Sequence, residues 1–482
     1  MTPVSSFIGK AGVRMLVVSM LLEGCMVGPK YKAPTPALAP FHNKVEASVK
    51  NEASATALDR WWAGFNDSLF STVVERALKE NLNLQAALTR VDEARALAAG
   101  AGAKLYPVGD FNALATAERQ SLAGNLGSIA GTYPTYRRDI HEYTIGPAAS
   151  WEIDVAGGLR HNAAAAREEV QVAEANRVGT RVMVAAEAAD AYLQVRGYQA
   201  RLSVAEHQIT TDEHLLQLVQ NRYEAGAGTK REIAQAQALL QQARSIVPIL
   251  RLSLEKQLNR LDVLEGAQPG TYVHELEVVT PIPSIPRIAG QEPTDVLRRR
   301  PDVIAAERQL AASNDRIGVA IAEYYPKISL SGILGIDSLN SGHLFTESAF
   351  QPAAVAGLRW RLFDFGRVDA EVKQANSANA EALVVYRQAV LRAAEDVEDA
   401  LSMLSQNEAY GLELQAQVQS LLKVRDLSEQ AYRAGSITLT DVLDADRELL
   451  TAQDQLDANR ADTARAAVAV FRAFGGGWEA PI

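Results

Sequence analysis

The chain contains two copies of one unit, and this duplication limits its possible folds more than any other feature. A tyrosine before a glycine-containing turn occurs at Tyr223 and again at Tyr432, and a tryptophan followed by aspartate, glycine and arginine occurs at Trp151 and Trp360. Both pairs are 209 residues apart (432 − 223 and 360 − 151), whereas Tyr106-Pro107 and Tyr325-Pro326 are 219 residues apart (325 − 106). Unrelated motifs that share one offset indicate a tandem duplication, with ten extra residues in the first copy.

Two β-strands are predicted in each copy, within residues of about 108–151 and about 327–363. From Lys327 to Ile336 apolar residues alternate with polar or small ones, a period of two that is typical of a strand with one apolar face. Four strands cannot close a barrel, since the smallest bacterial barrels have about eight, so a barrel needs several chains. Trp151 and Trp360 would then lie at the level of the lipid headgroups. The alternative is a sheet in a soluble sandwich, where buried tryptophan is also normal.

Long helices are predicted to follow the pair of strands in each copy. From Gly366 to Gly435 there is no proline and only one internal glycine, and residues 160–223 form a matching stretch. Roughly 65 helical residues span on the order of 100 Å, a length typical of coiled coils. Their many alanines favour close helix contacts and the wall of a hollow tube, while a solid coiled-coil rod is the alternative. Each copy is therefore predicted to contain one helix, two strands and two further helices, in that order.

The N-terminus has the pattern of an exported protein. Lys10 and Arg14 precede an apolar run over 15–22, so residues 1–24 are predicted to be a signal peptide. Cys25 is the only cysteine, which excludes an internal disulfide, and its position resembles a bacterial lipobox, although Glu23 is unusual there. We predict a covalent lipid on Cys25 at the start of an extended segment, 25–60. The alternative is an ordinary signal peptide with an incidental cysteine.

Several functional classes are excluded by composition and motifs. The net charge of −10, with acids and bases interspersed, provides no basic stripe for nucleic acid. No later segment approaches the ~20 apolar residues of a spanning helix, so a membrane crossing requires a closed β-barrel. The histidines, including His207 and His214, lack metal-ligand spacing, and no nucleophile elbow or phosphate loop is present. We therefore predict no enzyme activity, no metal and no cofactor other than the lipid.

Five short segments add to the duplication, the strand pairs and the tips: Val27–Tyr31, Trp61-Trp62, Leu297–Val303, Phe363–Arg367 and Gly475–Trp478. Taken together, these motifs resemble the outer-membrane factor family, in the lipoprotein branch that serves resistance-nodulation-division multidrug efflux systems. The resemblance implies a homotrimer with a twelve-stranded barrel in the bacterial outer membrane, continued by a helical barrel in the periplasm. It also implies a periplasmic membrane-fusion adaptor and an inner-membrane pump as partners, with this chain as a passive conduit for drugs or other small molecules.

The resemblance also divides the chain into segments. Residues 61–265 are the first repeat with a tip at about 224–229, 266–293 an equatorial linker, 294–474 the second repeat with a tip at about 433–438, and 475–482 a tail. The predicted adaptor-docking residues are Ala225, Gly226, Ala227, Ala434, Gly435 and Ser436. A periplasmic coiled-coil adaptor or scaffold lipoprotein is the alternative function, and it would lack the strands. A general porin is disfavoured because porins lack long helices.

A periplasmic gate is implied near the second tip. Asp441 and Asp444 are three residues apart and share one helix face, so threefold symmetry would place six carboxylates around a narrow axis. Such a ring attracts cations and makes closure sensitive to pH and to divalent ions. Tyr432 and Arg433 are further gate candidates. Alternatively, Asp441 serves the helix start, because Thr438 precedes it at capping-box spacing and the first copy repeats that spacing.

Overall fold

The computed structural model describes residues 26–35, 39–43, 57–288 and 292–479. The predicted signal peptide and Cys25 lie outside these residues. The described residues form two compact units: one comprises those within Met1–Pro34, Asp92–Val172 and Glu307–Val385, and the other those within Thr35–Val91, Ala173–Ala306 and Tyr386–Ile482. The first unit carries the strands, and the second carries the hairpin tips described below.

The two copies have the same order of elements. The first copy contains a 3-10 helix (Trp61–Phe65), α1 (Ser68–Glu80), α2 (Leu82–Ala103), β1 (Val108–Arg119), α3 (Asn125–Ala130), β2 (Asp139–Ile153), α4 (Gly158–Glu224) and α5 (Lys230–Leu264). The second copy contains α6 (Pro293–Arg299), α7 (Pro301–Ala322), β3 (Lys327–Ser338), β4 (Phe350–Arg359), α8 (Arg367–Arg433) and α9 (Leu439–Ala473). Short 3-10 helices at Val273–Leu276, Ser341–His343 and Glu347–Ala349 lie in the connections.

The element bounds confirm the duplication. Helices α4 and α5 map onto α8 and α9 with an offset of 209 at each end (367 − 158 and 473 − 264). Helix α2 and strand β1 map onto α7 and β3 with an offset of 219 (301 − 82 and 338 − 119). The ten extra residues therefore lie in the β1–β2 connection, which holds α3.

Two local features differ from the sequence prediction. The first helix of each copy is divided in two: Asn81 ends α1 and its side chain accepts hydrogen bonds from the N–H groups of Asn83 and Leu84 at the start of α2. In the second copy Pro301 forces Arg300 into an extended conformation between α6 and α7. Strand β4 ends at Arg359, four residues before the predicted end at 363.

The strands form one antiparallel sheet with the order β1-β2-β3-β4. The register aligns the apolar positions of all four strands: Phe111 opposes Pro147, Trp151 opposes Leu330, and Leu330 opposes Ala356. Because directly paired residues lie on the same face, the sheet has one continuous apolar face and one that is mostly polar or small. Within the described part of the chain, β1 and β4 each leave one edge without a partner strand.

The helical unit is held by aromatic and small side chains. Trp61 is buried and stacks on Phe471 with ring centres 5.4 Å apart. Several alanines of α4 and α9 belong to the same cluster, and Gly197 lies so close to Ala461 that an added Cβ would be 2.7 Å from the alanine Cβ. These small residues allow the close helix approach that the sequence predicted. Among the described helices, none combines the length and apolar character needed to span a bilayer.

Candidate functional site

The two hairpin tips have the same backbone geometry. Two residues beyond the ends of α4 and α8 lie glycines with positive φ, +76° at Gly226 and +75° at Gly435. The next N–H reaches back five residues: Ala227 donates to the oxygen of Arg222 at 2.8 Å, and Ser436 donates to that of Ala431 at 2.9 Å. This is the Schellman arrangement, in which glycine relieves the strain of a left-handed backbone. All six residues predicted to dock an adaptor are exposed in these two turns.

A capping box begins each returning helix. In the first copy, the Thr229 N–H donates to the carboxylate of Glu232 at 2.6 Å, and the Glu232 N–H donates to the Thr229 hydroxyl at 3.3 Å. In the second copy, the hydroxyl and the N–H of Thr438 donate to Asp441 at 2.7 and 2.9 Å. These bonds, led by the one from the hydroxyl, lower the pKa of Asp441. Asp441 therefore caps its helix, as the spacing indicated, and it also remains exposed.

Asp444 has no such local role in the backbone. Its side chain is exposed and accepts a hydrogen bond of 3.0 Å from Arg447 on the next turn of α9. Gln235 is the equivalent residue in the first copy (444 − 209). The second tip thus presents two exposed carboxylates, Asp441 and Asp444, on one side of the helix.

Tyr432 and Arg433 occupy different environments. Tyr432 is 1% exposed and packs in a cluster with Leu215 and Val219 of α4 and with Leu439 and Val442 of α9. Burial raises the pKa of its hydroxyl. By contrast, Arg433 is exposed and pairs with Glu429 of the same helix. The structure therefore places Tyr432 inside the hairpin packing and Arg433 on its surface.

Arg222 is a tip residue that the sequence analysis did not single out. Its guanidinium lies 4.4 Å from the centre of the Tyr432 ring and donates to the main-chain oxygen of Tyr432. This contact joins the end of the long helix in the first copy to the end of the long helix in the second. The only sequence signal was the position of Arg222 beside Tyr223, the repeat partner of Tyr432.

Buried carboxylates behind the tips were also missed. Asp446 accepts a hydrogen bond from Arg425 at 3.1 Å, and Asp212 accepts one from Gln208 at 2.8 Å. Burial raises the pKa of Asp212 to about 6, and the negative charge of Asp446 acts in the same direction. Burial likewise raises the pKa of Asp446, against the opposing effect of Arg425. The available signal was that Asp446 interrupts an apolar helix stripe that includes Val442 and Leu449.

The two predicted girdle tryptophans have matching contacts. The indole N–H of Trp151 donates to the main-chain oxygen of Leu105, and that of Trp360 donates to the oxygen of Tyr324, both at 2.9 Å. Each tryptophan thus ties the end of a returning strand to the helix–strand turn of its own copy. Trp151 is half-buried and Trp360 is exposed, so part of each indole ring is accessible at the end of its strand. Within the described ranges, no group of His, Cys, Asp and Glu has the arrangement of a metal site.

Comparison with known proteins identifies relatives along almost the whole chain. The family model "Outer membrane efflux protein" matches residues 73–267 and 293–476. The chain is 31% identical to the pyoverdine export outer membrane protein OpmQ of Pseudomonas aeruginosa, over 95% of this chain and 96% of that protein. It is 28% identical to nodulation protein T of Rhizobium leguminosarum bv. viciae, over 96% of this chain and 93% of that protein. The solved outer-membrane channel OprN superposes with a TM-score of 0.86 at 30% identity, covering 94% of this chain and 100% of that one.

Proposed function

The chain belongs to the outer membrane efflux protein family, and from this membership we propose that it is the outer-membrane channel subunit of a tripartite efflux pump. The family is one of transport proteins and not of enzymes. The subunit catalyses no reaction and forms a passive path for small molecules from the periplasm to the exterior. An inner-membrane pump of the resistance-nodulation-division type supplies the energy, and a periplasmic adaptor connects the two.

The sheet is the observation that carries this proposal. Its apolar face includes Phe111, Leu334 and Leu358, which are all exposed in the single chain. An exposed, continuous apolar face is stable only when lipid or another protein surface covers it. The unpaired backbone groups at both sheet edges likewise need partner strands. Three chains that join β4 of one to β1 of the next satisfy both needs, because twelve strands close into a barrel whose apolar side faces lipid. The polar face then lines a water-filled lumen.

The helical hairpins continue this path into the periplasm. Helices of 67 and 35 residues occur in both copies and are too poor in large apolar side chains to enclose a solid core. In a trimer they form the wall of a helical barrel, and the tips at residues 225–227 and 434–436 contact the adaptor. Asp441 and Asp444 ring the axis at the closed end, so the entrance favours cations. Trp151 and Trp360 mark the periplasmic edge of the bilayer.

The export cargo is a small organic molecule handed over by the pump. A relative of this chain, OpmQ, is named for pyoverdine export, which supports a role in export. The lipid on Cys25 provides an additional anchor in the outer membrane. A periplasmic adaptor or scaffold remains the alternative, but the four-stranded sheet with its exposed apolar face has no role in such a protein.

Paired substitutions on β3 test the barrel. Leu334→Asp places a charge on the apolar face, whereas Ser331→Asp places the same charge on the opposite face of the same strand. We expect Leu334→Asp to reduce outer-membrane trimer strongly, because an acidic residue facing lipid is destabilising. Ser331→Asp should assemble normally and alter only ion selectivity. The measurements are outer-membrane fractionation, heat-modifiable migration of the trimer, and conductance in planar bilayers.

Two results would contradict the channel. If the mature protein were a stable, water-soluble monomer without detergent, the channel would be ruled out. Equal assembly of the two aspartate variants would show that neither face meets lipid, and would favour a soluble sheet.

A further inference from the structure

The segment that directly follows Cys25 is seated in a socket at the base of the sheet. The N–H of Val27 donates to the main-chain oxygen of Ala156 at 3.0 Å, and the oxygen of Val27 lies 2.9 Å from Nε2 of His161. Two residues further on, the oxygen of Pro29 accepts a hydrogen bond of 3.0 Å from the side chain of Asn314. Both polar groups of the Val27 backbone are therefore satisfied by the folded chain.

His161 is the centre of this socket. The residue is 5% exposed, and its Nδ1 lies 2.9 Å from a carboxylate oxygen of Asp315 on α7. One ring nitrogen thus faces the carboxylate and the other faces the Val27 oxygen, so the imidazole bridges α7 and the N-terminal segment. Asp315 therefore orients the imidazole, and the imidazole holds the N-terminal segment.

Glycines make room for this arrangement. An added Cβ on Gly157 would come within 2.8 Å of the Cα of Met26, and one on Gly28 would come within 2.8 Å of the Cα of Gly318. A Cβ on Gly318 would overlap the His161 ring itself. Backbone from three separate parts of the chain thus meets at contact distance only because these side chains are absent.

The duplication provides an internal comparison, since only one of the two equivalent positions carries a socket. The second-copy equivalent of His161 is Ala370 (161 + 209), and the first-copy equivalents of Asp315 and Gly318 are Ala96 and Ala99 (minus 219). The turn at Gly157 corresponds to that at Gly366, which has φ +82° against +85° but no atom of the described residues within 4 Å of an added Cβ. Of these two equivalent turns, the polar ring and the close contact therefore occur at the one where residues 26–29 lie.

We infer that His161, Asp315 and the surrounding glycines are a docking site for residues 26–29 that fixes the lipid anchor beside the Asp154–Gly157 turn. Only Met26 separates Cys25 from the clamped Val27, so acyl chains on Cys25 enter the bilayer next to the base of the sheet. Each chain has one N-terminus and one socket, so a trimer carries three anchors at three fixed positions. The anchoring half of this inference rests on the lipidation in the proposed function, and the docking half does not.

Limited trypsin cleavage of the full-length protein in detergent micelles, where the periplasmic side is accessible, tests the docking. Lys30 and Lys32 are exposed trypsin sites, and release of the segment requires it to leave the socket first. Gly157→Ala is compared with Gly366→Ala, because both place alanine at nearly the same positive φ but only the first collides with Met26. His161→Ala, which introduces the residue found in the second copy, is the third variant. Mass spectrometry reports the rate at which the N-terminal peptide is released.

We expect Gly157→Ala and His161→Ala to release the peptide about tenfold faster than the unaltered chain, because the docked state loses buried contacts. Gly366→Ala should release it at the unaltered rate. Equal rates for the two glycine variants would overturn the docking site. Conductance is measured on the same preparations, so that loss of the channel is recognised separately. A protein that forms no pores but shows the expected cleavage rates would refute the proposed function. The docking site would then still be supported.

A photoreactive fatty acid incorporated in living cells tests the anchoring. In the unaltered protein we expect acyl cross-links concentrated on the peptide that contains residues 154–157, and in Gly157→Ala we expect them to spread over other peptides. Cross-links without such preference, or no acyl incorporation at all, would overturn the anchoring half. The trypsin result would still decide the docking half.

Discussion

The guanidinium of Arg222 lies over the ring of Tyr432, 4.4 Å from its centre, and donates to the main-chain oxygen of the same tyrosine. The two residues belong to different copies of the repeat and are 210 positions apart in the chain. The contact therefore ties the two hairpin tips to each other, beside the residues proposed as the gate. We expect it to oppose separation of the tips.

Arg222→Ala should favour the open channel. Removing the guanidinium eliminates a hydrogen bond and a cation–π contact together worth about 1–2 kcal/mol, or about tenfold in an opening equilibrium. Arg244→Ala is the control, since Arg244 is exposed and its ion pair with Glu213 lies within the first copy. Single-channel recording in planar bilayers measures the open probability. Equal open probabilities in the two variants would remove Arg222 from the gate.

Asp441→Ala tests whether this carboxylate does more than cap α9. Glu232→Ala is the matched control, because Glu232 forms the equivalent capping box in the first copy. Both variants should lose helix-start stability of about 0.5–2 kcal/mol. If Asp441 also lines the entrance, only Asp441→Ala will lower the preference for cations, measured as reversal potential in a salt gradient. Identical reversal potentials would leave Asp441 with the capping role alone.

Asp444→Ala should raise open-channel conductance and weaken block by divalent cations. The reason is electrostatic, since three copies of an exposed carboxylate near one axis attract multivalent cations. Gln235→Ala serves as the control, because it occupies the equivalent helix position in the first copy without a charge. Conductance titrated with magnesium measures the effect. The gate assignment fails if Asp444→Ala retains the unaltered current and the unaltered magnesium block.

Asp212→Asn should remove a pH dependence from the stability of the tips. Burial raises the pKa of Asp212 from 3.8 to about 6, so between these values the folded chain binds more protons than the unfolded chain. The free energy of unfolding therefore falls as pH rises from about 4 to about 6 and stays lower above pH 6. Asparagine is neutral at every pH, so the variant should gain on the order of 1–3 kcal/mol near neutral pH.

Hydrogen exchange of the tip helices, corrected for the intrinsic rate at each pH, measures this change. Asp444 is an exposed carboxylate in the neighbouring helix, so Asp444→Asn is the control. It should keep the pH dependence of stability that the unaltered protein shows. A slope that persists in Asp212→Asn would assign the titration to another group. Asp446 would be tested next, because it also is buried and has a raised pKa.

Local features of the site were readable in the sequence because the interactions that form them are short in range. The glycine turns and the capping boxes involve residues three to five positions apart, so their spacing alone predicts them. The alternation along β3 fixed which residues share a face, and the register then aligned that face with the other strands. The Asp441 interpretation as a helix cap was correct for the same reason.

Other features were missed because the environment of a side chain is set by distant partners. Tyr432 was predicted as a gate candidate, and the sequence did not show that its side chain would be buried between helices of both copies. The sequence could not show that Asp212 and Asp446, 234 positions apart (446 − 212), would share one interior. Nor did it indicate that His161 would meet the backbone of Val27, since this contact spans 134 positions.

The sequence by itself determined the duplication, the type of each main element, the apolar face of the strands and the geometry of the turns. These follow from periodicity and from contacts within a few residues, where chain connectivity leaves little choice. Only the tertiary structure decided which polar side chains are buried, which arginine meets which ring, and where the N-terminal segment docks. Such pairs form when packing brings distant segments together, and the free energy of burial that selects them depends on neighbours that no local pattern specifies.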